Sequence, residues 1–301
     1  MRGDFSRAAA TYDKAAVLAD EVGRRMAERL DYVKIAPQRM ADIGCATGDG
    51  IRELSRRYPQ ALPLAIDFAR PMLQQVALRS SFMQRLRRRA PRLLNADIQA
   101  LPLQHSSLGL VWSNLMLHWL DDPLPAFREL HRTLEVSGLV MFSMLGPDTL
   151  KEIRAACVAC GVEPPLRNFH DMHDIGDMLV AAGFADPVMD MEMITLTYRS
   201  PRGLLRDQRH LGVRDALFGD SSQSPRRPRI DLAPTGGGSD QRTEPGAQLS
   251  WRDWRRVFAA WQAQPQAGTL SASFEIVYGH AWKPEPRALD DGRAIINFVK
   301  K

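Results

Sequence analysis

The stretch ADIGCATGDG, residues 41–50, decides the fold. A short apolar run ends there in a turn with glycines at positions 44, 48 and 50. Glycine turns between a strand and a helix let a ligand approach the backbone closely, although some are purely structural. A dinucleotide-binding loop would place its last glycine at position 49, where this chain has Asp49. The stretch therefore suits a nucleotide-like ligand without a pyrophosphate.

Strands and helices alternate outward from this loop. Five apolar strands separated by helices are predicted between residues 39 and 145, and the last of these helices is placed at 123–138. Beyond residue 150, helices and strands at 194–198 and 274–282 follow. This order is typical of a doubly wound, mainly parallel sheet of the α/β class.

The composition restricts the class of protein. The chain has 301 residues. Its net charge of +5 suits an acidic partner, and its three cysteines, an odd number, imply no disulfide framework. No apolar run is long enough to span a bilayer, and the N-terminus lacks a signal sequence. Cys157 and Cys160 lack the second pair that a zinc site needs. We expect a cytoplasmic protein without metal, membrane contact or a nucleic-acid partner.

Polar residues follow three successive strands on one predicted edge of the sheet. Asp67 ends the second strand and Asp97 the third, while the fourth ends at Ser113 and Asn114. A carboxylate after the second strand can accept both hydroxyls of a ribose. Asp97 can accept from an adenine amino group while its neighbour Ile98 covers the ring. Each acid alone is more often a solvated loop residue, but the set predicts an adenosine site.

These features resemble the class I S-adenosylmethionine-dependent methyltransferases. Their D/E-x-G-x-G-x-G loop corresponds here to D-x-G-x-A-x-G, and the resemblance covers residues 39–145. It implies S-adenosyl-L-methionine as cofactor and a Rossmann-like sheet of seven strands with an antiparallel last strand. The cofactor-binding residues it implies are Asp42, Gly44 and Gly48 at the methionine end, Asp67 at the ribose, Phe68 against the adenine, and Asp97 and Ile98 at its edge, with Ala46, Ser113 and Asn114 beside them.

Ala46 replaces the middle glycine of that family's loop. A negative φ at this position would make the extra methyl group tolerable. A positive φ would strain the backbone by about 1–2 kcal/mol.

A narrower resemblance extends over residues 5–284. The blocks FSRAAATYDKAA, VWSNLMLHWLDD, LLRDQRHLGVRDAL and FEIVYGHAWKP are similar to the malonyl-acyl-carrier-protein O-methyltransferases of biotin synthesis. Members of that family methylate the free carboxylate of a malonyl thioester on acyl carrier protein. The methyl ester masks the charge of the carboxylate, so fatty-acid enzymes can elongate the chain to a pimeloyl group. The resemblance implies a cytoplasmic, metal-free enzyme with an acidic protein partner, malonyl-acyl carrier protein.

The domain organisation follows from the same resemblance. It implies a single methyltransferase domain over 1–301, with an N-terminal helical cap at 1–30. A cofactor-binding half occupies 39–145, and a substrate-side half with helical additions occupies 146–301. Residues 219–249 contain no aromatic residue and many Gly, Pro and Ser residues, so a disordered insertion is expected there.

Four side chains are candidates for the acceptor pocket, although packing or solvation could explain each. Arg206 and Arg209 lie three residues apart on a predicted helix, where a guanidinium could hold the malonyl carboxylate. Tyr12 belongs to the segment that often closes over the cofactor in such enzymes, and His118 follows the fourth strand. No catalytic base is assigned, because a carboxylate acceptor is already deprotonated at pH 7.

Two other functions stay open at this point. A methyltransferase for another small acceptor would share the cofactor half. A non-methylating assembly factor or hydroxylase, related to the mitochondrial complex I assembly factors, would be favoured by a damaged cofactor loop. A basic run is either a solvated face or a landing site for an acidic carrier protein; it contains Arg85, Arg87, Arg88, Arg89 and Arg92.

Overall fold

The computed structural model describes residues 2–80, 90–213, 250–263 and 269–285. Within them the strands are β1 (Arg39–Ile43), β2 (Leu62–Asp67), β3 (Arg92–Asn95), β4 (Leu108–Ser113), β5 (Leu134–Leu145), β6 (Ala185–Tyr198) and β7 (Leu270–Trp282). They form one sheet in the order β3-β2-β1-β4-β5-β7-β6. The first five strands pair in parallel, and β7 pairs antiparallel with both β5 and β6. The predicted fold class is confirmed, including the antiparallel last strand.

Helices cover both faces of this sheet. They are α1 (Arg2–Ala8), α2 (Val17–Arg29), α3 (Asp49–Arg57), α4 (Arg70–Arg79), α5 (Leu124–Thr133), α6 (Lys151–Ala159), α7 (Met172–Ala181), α8 (Pro201–Leu211) and α9 (Trp251–Gln262). Several begin at local signals in the sequence. Pro71 lies in the first turn of α4, and the Asp171 carboxylate accepts from two backbone N–H groups at the start of α7.

Two apolar cores lie on opposite faces of the sheet. Buried side chains of α2, α3, α6, α8 and α9 pack in one of them, and Phe127 of α5 and Leu179 of α7 pack in the other. The strand β4 lies between β1 and β5, and all six of its residues are buried. A central parallel strand covered on both faces reads as such a continuous apolar run.

Some predicted boundaries are wrong. The helix predicted at 123–138 ends at Thr133, and β5 begins at the next residue. Leu134 pairs with Leu108 before the register shifts, and Ser137 has a φ of 61° within the irregular part. The strand predicted at 194–198 is the end of the longer β6.

Some segments named in the sequence analysis lie outside the described residues. The predicted insertion at 219–249 lies outside them, as do Arg85, Arg87, Arg88 and Arg89. In the part of the chain that is described, no helix has the length and apolar character that a membrane crossing requires.

Candidate functional site

A cavity lies where the carboxyl ends of the parallel strands meet. Because β2, β1 and β4 are neighbours with the same direction, the loops after them converge at one edge of the sheet. The cavity measures about 200 Å³ and is mainly apolar. Its wall contains these residues predicted from the sequence: Tyr12, Gly44, Ala46, Asp67, Phe68, Asp97, Ile98, Asn114 and His118.

A second, larger cleft of about 900 Å³ opens on the other side of the glycine loop, between α2 and α3. Asp42 and Gly48 line this cleft, and many of its other lining residues are charged. The two spaces share Tyr12, Gly44 and Ala46, so a ligand with an apolar ring and a polar tail can occupy both. Since aromatic side chains and the strand-end acids line the smaller space, we take it as the part that binds the ring of the ligand.

The glycine loop uses left-handed backbone conformations at three positions. Gly44 has a φ of 73° and Gly48 has a φ of 93°, where glycine carries no steric penalty. Ala46 also has a positive φ, of 45°. The strained alternative therefore applies, and the Cβ of Ala46 costs about 1–2 kcal/mol. The Ala46 amide is nevertheless used, because it donates to Oδ2 of Asp67 at 3.0 Å.

Asp67 is the best-anchored acid of the cavity. Its carboxylate accepts from the backbone N–H of Ala46 and, at 2.7 Å, from that of Ala69. Only 7% of the residue is exposed, and this burial raises the pKa of Asp67 to about 6. The two backbone bonds oppose that rise. A group that donates hydrogen bonds to Asp67 would stabilise its charged form further.

Asp42 lies beneath the same loop at the side of the larger cleft. It is 2% exposed and accepts from the backbone N–H of Ile51, at the start of α3. Burial raises the pKa of Asp42 to about 7, and the nearby charge of Asp67 raises it too. A cationic ligand in the cleft would favour both carboxylates in their charged forms.

Apolar side chains form the other end of the cavity. Phe68 meets Phe5 of α1 edge to face, with 5.9 Å between ring centroids, and Met72 packs beside them. Ile98 is buried, whereas Asp97 is exposed and caps a short 3-10 turn by accepting from the Gln99 N–H at 3.0 Å. The result is an apolar slot with a carboxylate at its rim.

Ser113 and Asn114 differ although they are adjacent. Ser113 is fully buried behind the cavity wall, where its hydroxyl donates to the carbonyl of Ile43 at 2.9 Å. Asn114 lines the cavity, donates to the Ala19 carbonyl of α2 at 2.8 Å and accepts from the Ser143 hydroxyl at 2.7 Å. Asn114 thus connects α2 to the sheet edge.

His118 and Tyr12 both line the cavity. His118 is 3% exposed, its Nδ1 accepts from the Leu145 N–H at 3.3 Å, and burial holds its pKa well below the usual range. The imidazole is therefore neutral, and this bond assigns its proton to Nε2. Trp119 and Phe169 pack against the ring. Burial and then the charge of Asp67 raise the pKa of Tyr12, so its hydroxyl stays protonated.

The structure does not bring Arg206 and Arg209 to the cavity. Both are exposed on the outer side of α8. The inner side of this helix contributes Asp207, Gln208 and Leu211 to the cavity wall instead. The sequence did carry a signal for Gln208, because this polar residue stands between Leu204 and Leu211 at the helical spacing of a buried stripe.

Comparisons with known proteins show the family to which the chain belongs. A family model described as a methyltransferase domain matches residues 41–142. A malonyl-[acyl-carrier protein] O-methyltransferase of Gallionella capsiferriformans is 46% identical over 98% of this chain and 94% of its own length. One of Laribacter hongkongensis is 44% identical over 99% and 94%. The chain belongs to this family.

It is therefore an S-adenosylmethionine-dependent O-methyltransferase. Solved structures support the fold of the enzyme. The YcgJ protein of Bacillus subtilis superposes with a TM-score of 0.55 at 12% identity, covering 87% of this chain and 99% of its own. A phosphoethanolamine N-methyltransferase of Haemonchus contortus, solved with S-adenosylhomocysteine, gives a TM-score of 0.50 at 15% identity, covering 87% of this chain and 53% of its own.

Proposed function

We propose that this methyltransferase acts on the free carboxylate of malonyl-acyl carrier protein, and that the methyl ester it forms enters pimeloyl and biotin synthesis. The observation that carries the proposal is the identity of 46% over 297 residues to a relative with that printed name. This similarity includes the substrate-side half, which would diverge if the acceptor differed. The predicted cytoplasmic location is part of the same proposal.

The cavity and the adjoining cleft suit the cofactor. Phe68 and Ile98 would enclose the adenine, Asp97 would accept from its amino group, and Asp67 would accept from the ribose hydroxyls. Asp42, Gly44, Ala46 and Gly48 would line the methionine end. When bound, S-adenosylmethionine supplies a methyl group on a positively charged sulfur.

The protein's own contribution to this reaction is positioning and exclusion of water. A carboxylate acceptor is ionised at pH 7, so no residue needs to remove a proton. The apolar side chains of Leu145, Leu196 and Phe274 line the cavity and displace solvent from the acceptor. Holding acceptor and methyl group in contact in such an environment can supply most of the acceleration.

Tyr12 and His118 are the polar groups that we assign to the acceptor. Both are neutral in this environment, and each can donate one hydrogen bond to a carboxylate or thioester oxygen. A carboxylate clamp formed by Arg206 and Arg209 stays a prediction. Both side chains are exposed on the outer side of α8, outside the cavity wall.

The test is a mass measurement on the intact carrier. The protein is incubated with S-adenosylmethionine and either malonyl-acyl carrier protein or malonyl-coenzyme A. We expect one methyl group to be added to the malonyl unit, and we expect the transfer to be faster with the carrier protein than with coenzyme A. Transfer to neither substrate, while the protein binds the cofactor, would favour another small acceptor. Absence of cofactor binding would favour the non-methylating class.

A further inference from the structure

We propose that the outer face of α8 is the docking surface for an acidic face of the acyl carrier protein. This inference rests on the proposed function, because it names where the partner of that reaction binds. It gives Arg206 and Arg209 a role outside the cavity, together with Arg202. We call these three residues the arginine stripe.

The arginine stripe is a single line of positive charge. Its members follow each other at spacings of four and three residues, so they lie on one side of the helix. All three are exposed, and Arg199 lies exposed just before the helix begins. The opposite side of α8 is buried through Leu204 and Gln208.

Within the described chain, Arg206 is the one member of the arginine stripe that has a carboxylate partner. Asp207 Oδ1 lies 3.7 Å from Nε of Arg206, and this contact is long and exposed. Among the described residues, no carboxylate lies within ion-pair distance of Arg202 or Arg209.

The arginines of two other helices, α3 and α2, are paired. On α3, Arg52 pairs with Asp49 and Arg56 with Glu53. On α2, Arg24, Arg25 and Arg29 pair with Glu21, Glu28, Glu192 and Asp190. The arginine stripe therefore offers uncompensated positive charge, which attracts an acidic protein and speeds its association.

The position of α8 connects such a partner to the reaction. Asp207, Gln208 and Leu211 of the same helix line the cavity. Since an α-helix is about 10 Å across, a carrier bound to the outer side would lie about one helix diameter from the acceptor site. The cavity of about 200 Å³ admits a thioester but not a folded protein. The carrier must therefore bind outside it.

Contacts with the helical cap hold α8 in place. The Thr11 hydroxyl donates to the His210 carbonyl at 3.3 Å, and Gly212 packs against Asp4 and Ala8 of α1. A docking surface on a supported helix keeps the partner at a constant distance from the cavity.

The test compares one variant on two substrates. The variant is Arg199→Glu with Arg202→Glu, and the substrates are malonyl-acyl carrier protein and the malonyl thioester of N-acetylcysteamine, which has the same carboxylate without a protein. We expect KM for the carrier to rise about tenfold, with KM for the small thioester unchanged. Added salt should raise the wild-type KM for the carrier more steeply than that of the variant.

Arg128→Glu is the matched control, because Arg128 is exposed on α5, which packs in the core on the other face of the sheet. It should leave both substrates unaffected. An equal loss on both substrates would indicate a role in binding the acceptor itself and overturn the proposal, as would an unchanged KM for the carrier. If the wild-type protein methylates neither substrate, the proposed function fails. Docking is then decided by calorimetric titration of wild type and variant with the carrier alone, where equal affinities would overturn it.

Discussion

The strand ends and the helix α8 are the two regions that border the cavity, and they are built differently. Asp67 is the last residue of β2, and its carboxylate is fixed by two backbone N–H groups. Arg206 and Arg209 lie on α8, where nothing fixes them toward the cavity, and both are exposed. Strand ends in a parallel sheet are brought together by topology, whereas a helix can present either side. The region that we propose for the cofactor is thus specified by strand order, and the region that we propose for the acceptor by helix packing.

The largest effect is expected at Asp42, in the cofactor region. Its pKa is raised from 3.8 to about 7, so folding favours the protonated acid. The stability that this proton provides is complete below about pH 4 and is lost as pH rises to about 7, by about 1.4 kcal/mol per pH unit. Asp42→Asn should remove this loss, which denaturant unfolding of both proteins between pH 4 and pH 8 would measure. If the unfolding free energies of the two proteins changed with pH in parallel, this would contradict the burial of Asp42.

The next effect concerns cofactor affinity. Asp67→Ala should weaken binding of S-adenosylmethionine by about 1–3 kcal/mol, because charged hydrogen bonds are lost. Calorimetric titration measures the change. Asp97→Ala is the matched variant at the cavity rim and should weaken binding less, because Asp97 is exposed. Unchanged affinity in Asp67→Ala would show that the ribose lies elsewhere.

His118 provides the contrasting pH dependence in the acceptor region. Its pKa lies well below 6.5, so the stability that its neutral form provides is present above that pH and lost as pH falls. The loss is about 1.4 kcal/mol per pH unit below 6.5. His118→Gln should reduce this slope between pH 6.5 and pH 5 in the same unfolding experiment. A pH profile of methyl transfer with a step near pH 6.5 that disappears in this variant would contradict a neutral histidine.

The smallest effect is expected at Ala46. Ala46→Gly removes the Cβ from a backbone with a φ of 45°. Part of the relief is offset by the larger entropy of glycine in the unfolded chain, so we expect a gain of about 0.5–1 kcal/mol in unfolding free energy. Thermal unfolding measures it. Gly176→Ala, within α7, serves as a reference for exchange between the same two residues at a helical position, because a Cβ there meets only an ordinary contact at 3.8 Å. Destabilisation by Ala46→Gly would mean that the loop is not strained.

The sequence predicted the fold, and the meeting of the strand-end acids in one cavity, to the extent that both depend on order along the chain. Alternating strands and helices predict the parallel sheet, and the sheet brings Asp67 and Asp97 to one edge. The direction of a single side chain needed the structure. Ser113 turns behind the wall while Asn114 lines the cavity, because successive residues at a strand end point to different sides.

The acceptor region was less predictable for a physical reason. Spacing places Arg206 and Arg209 on one side of a helix but does not say whether that side faces the protein. The alternative stripe of Leu204, Gln208 and Leu211 is the one that packs inward, because it carries the apolar surface. The φ of Ala46 also could not be obtained from the sequence, because alanine favours no left-handed conformation.

A crystal structure with S-adenosylhomocysteine, the product form of the cofactor, tests the central claim most directly. We predict that its adenine lies between Phe68 and Ile98, that its ribose hydroxyls donate to Asp67, and that its amino-acid end extends past Gly44 into the larger cleft. An adenosine bound wholly between α2 and α3, with the cavity beside Phe68 empty, would contradict the account.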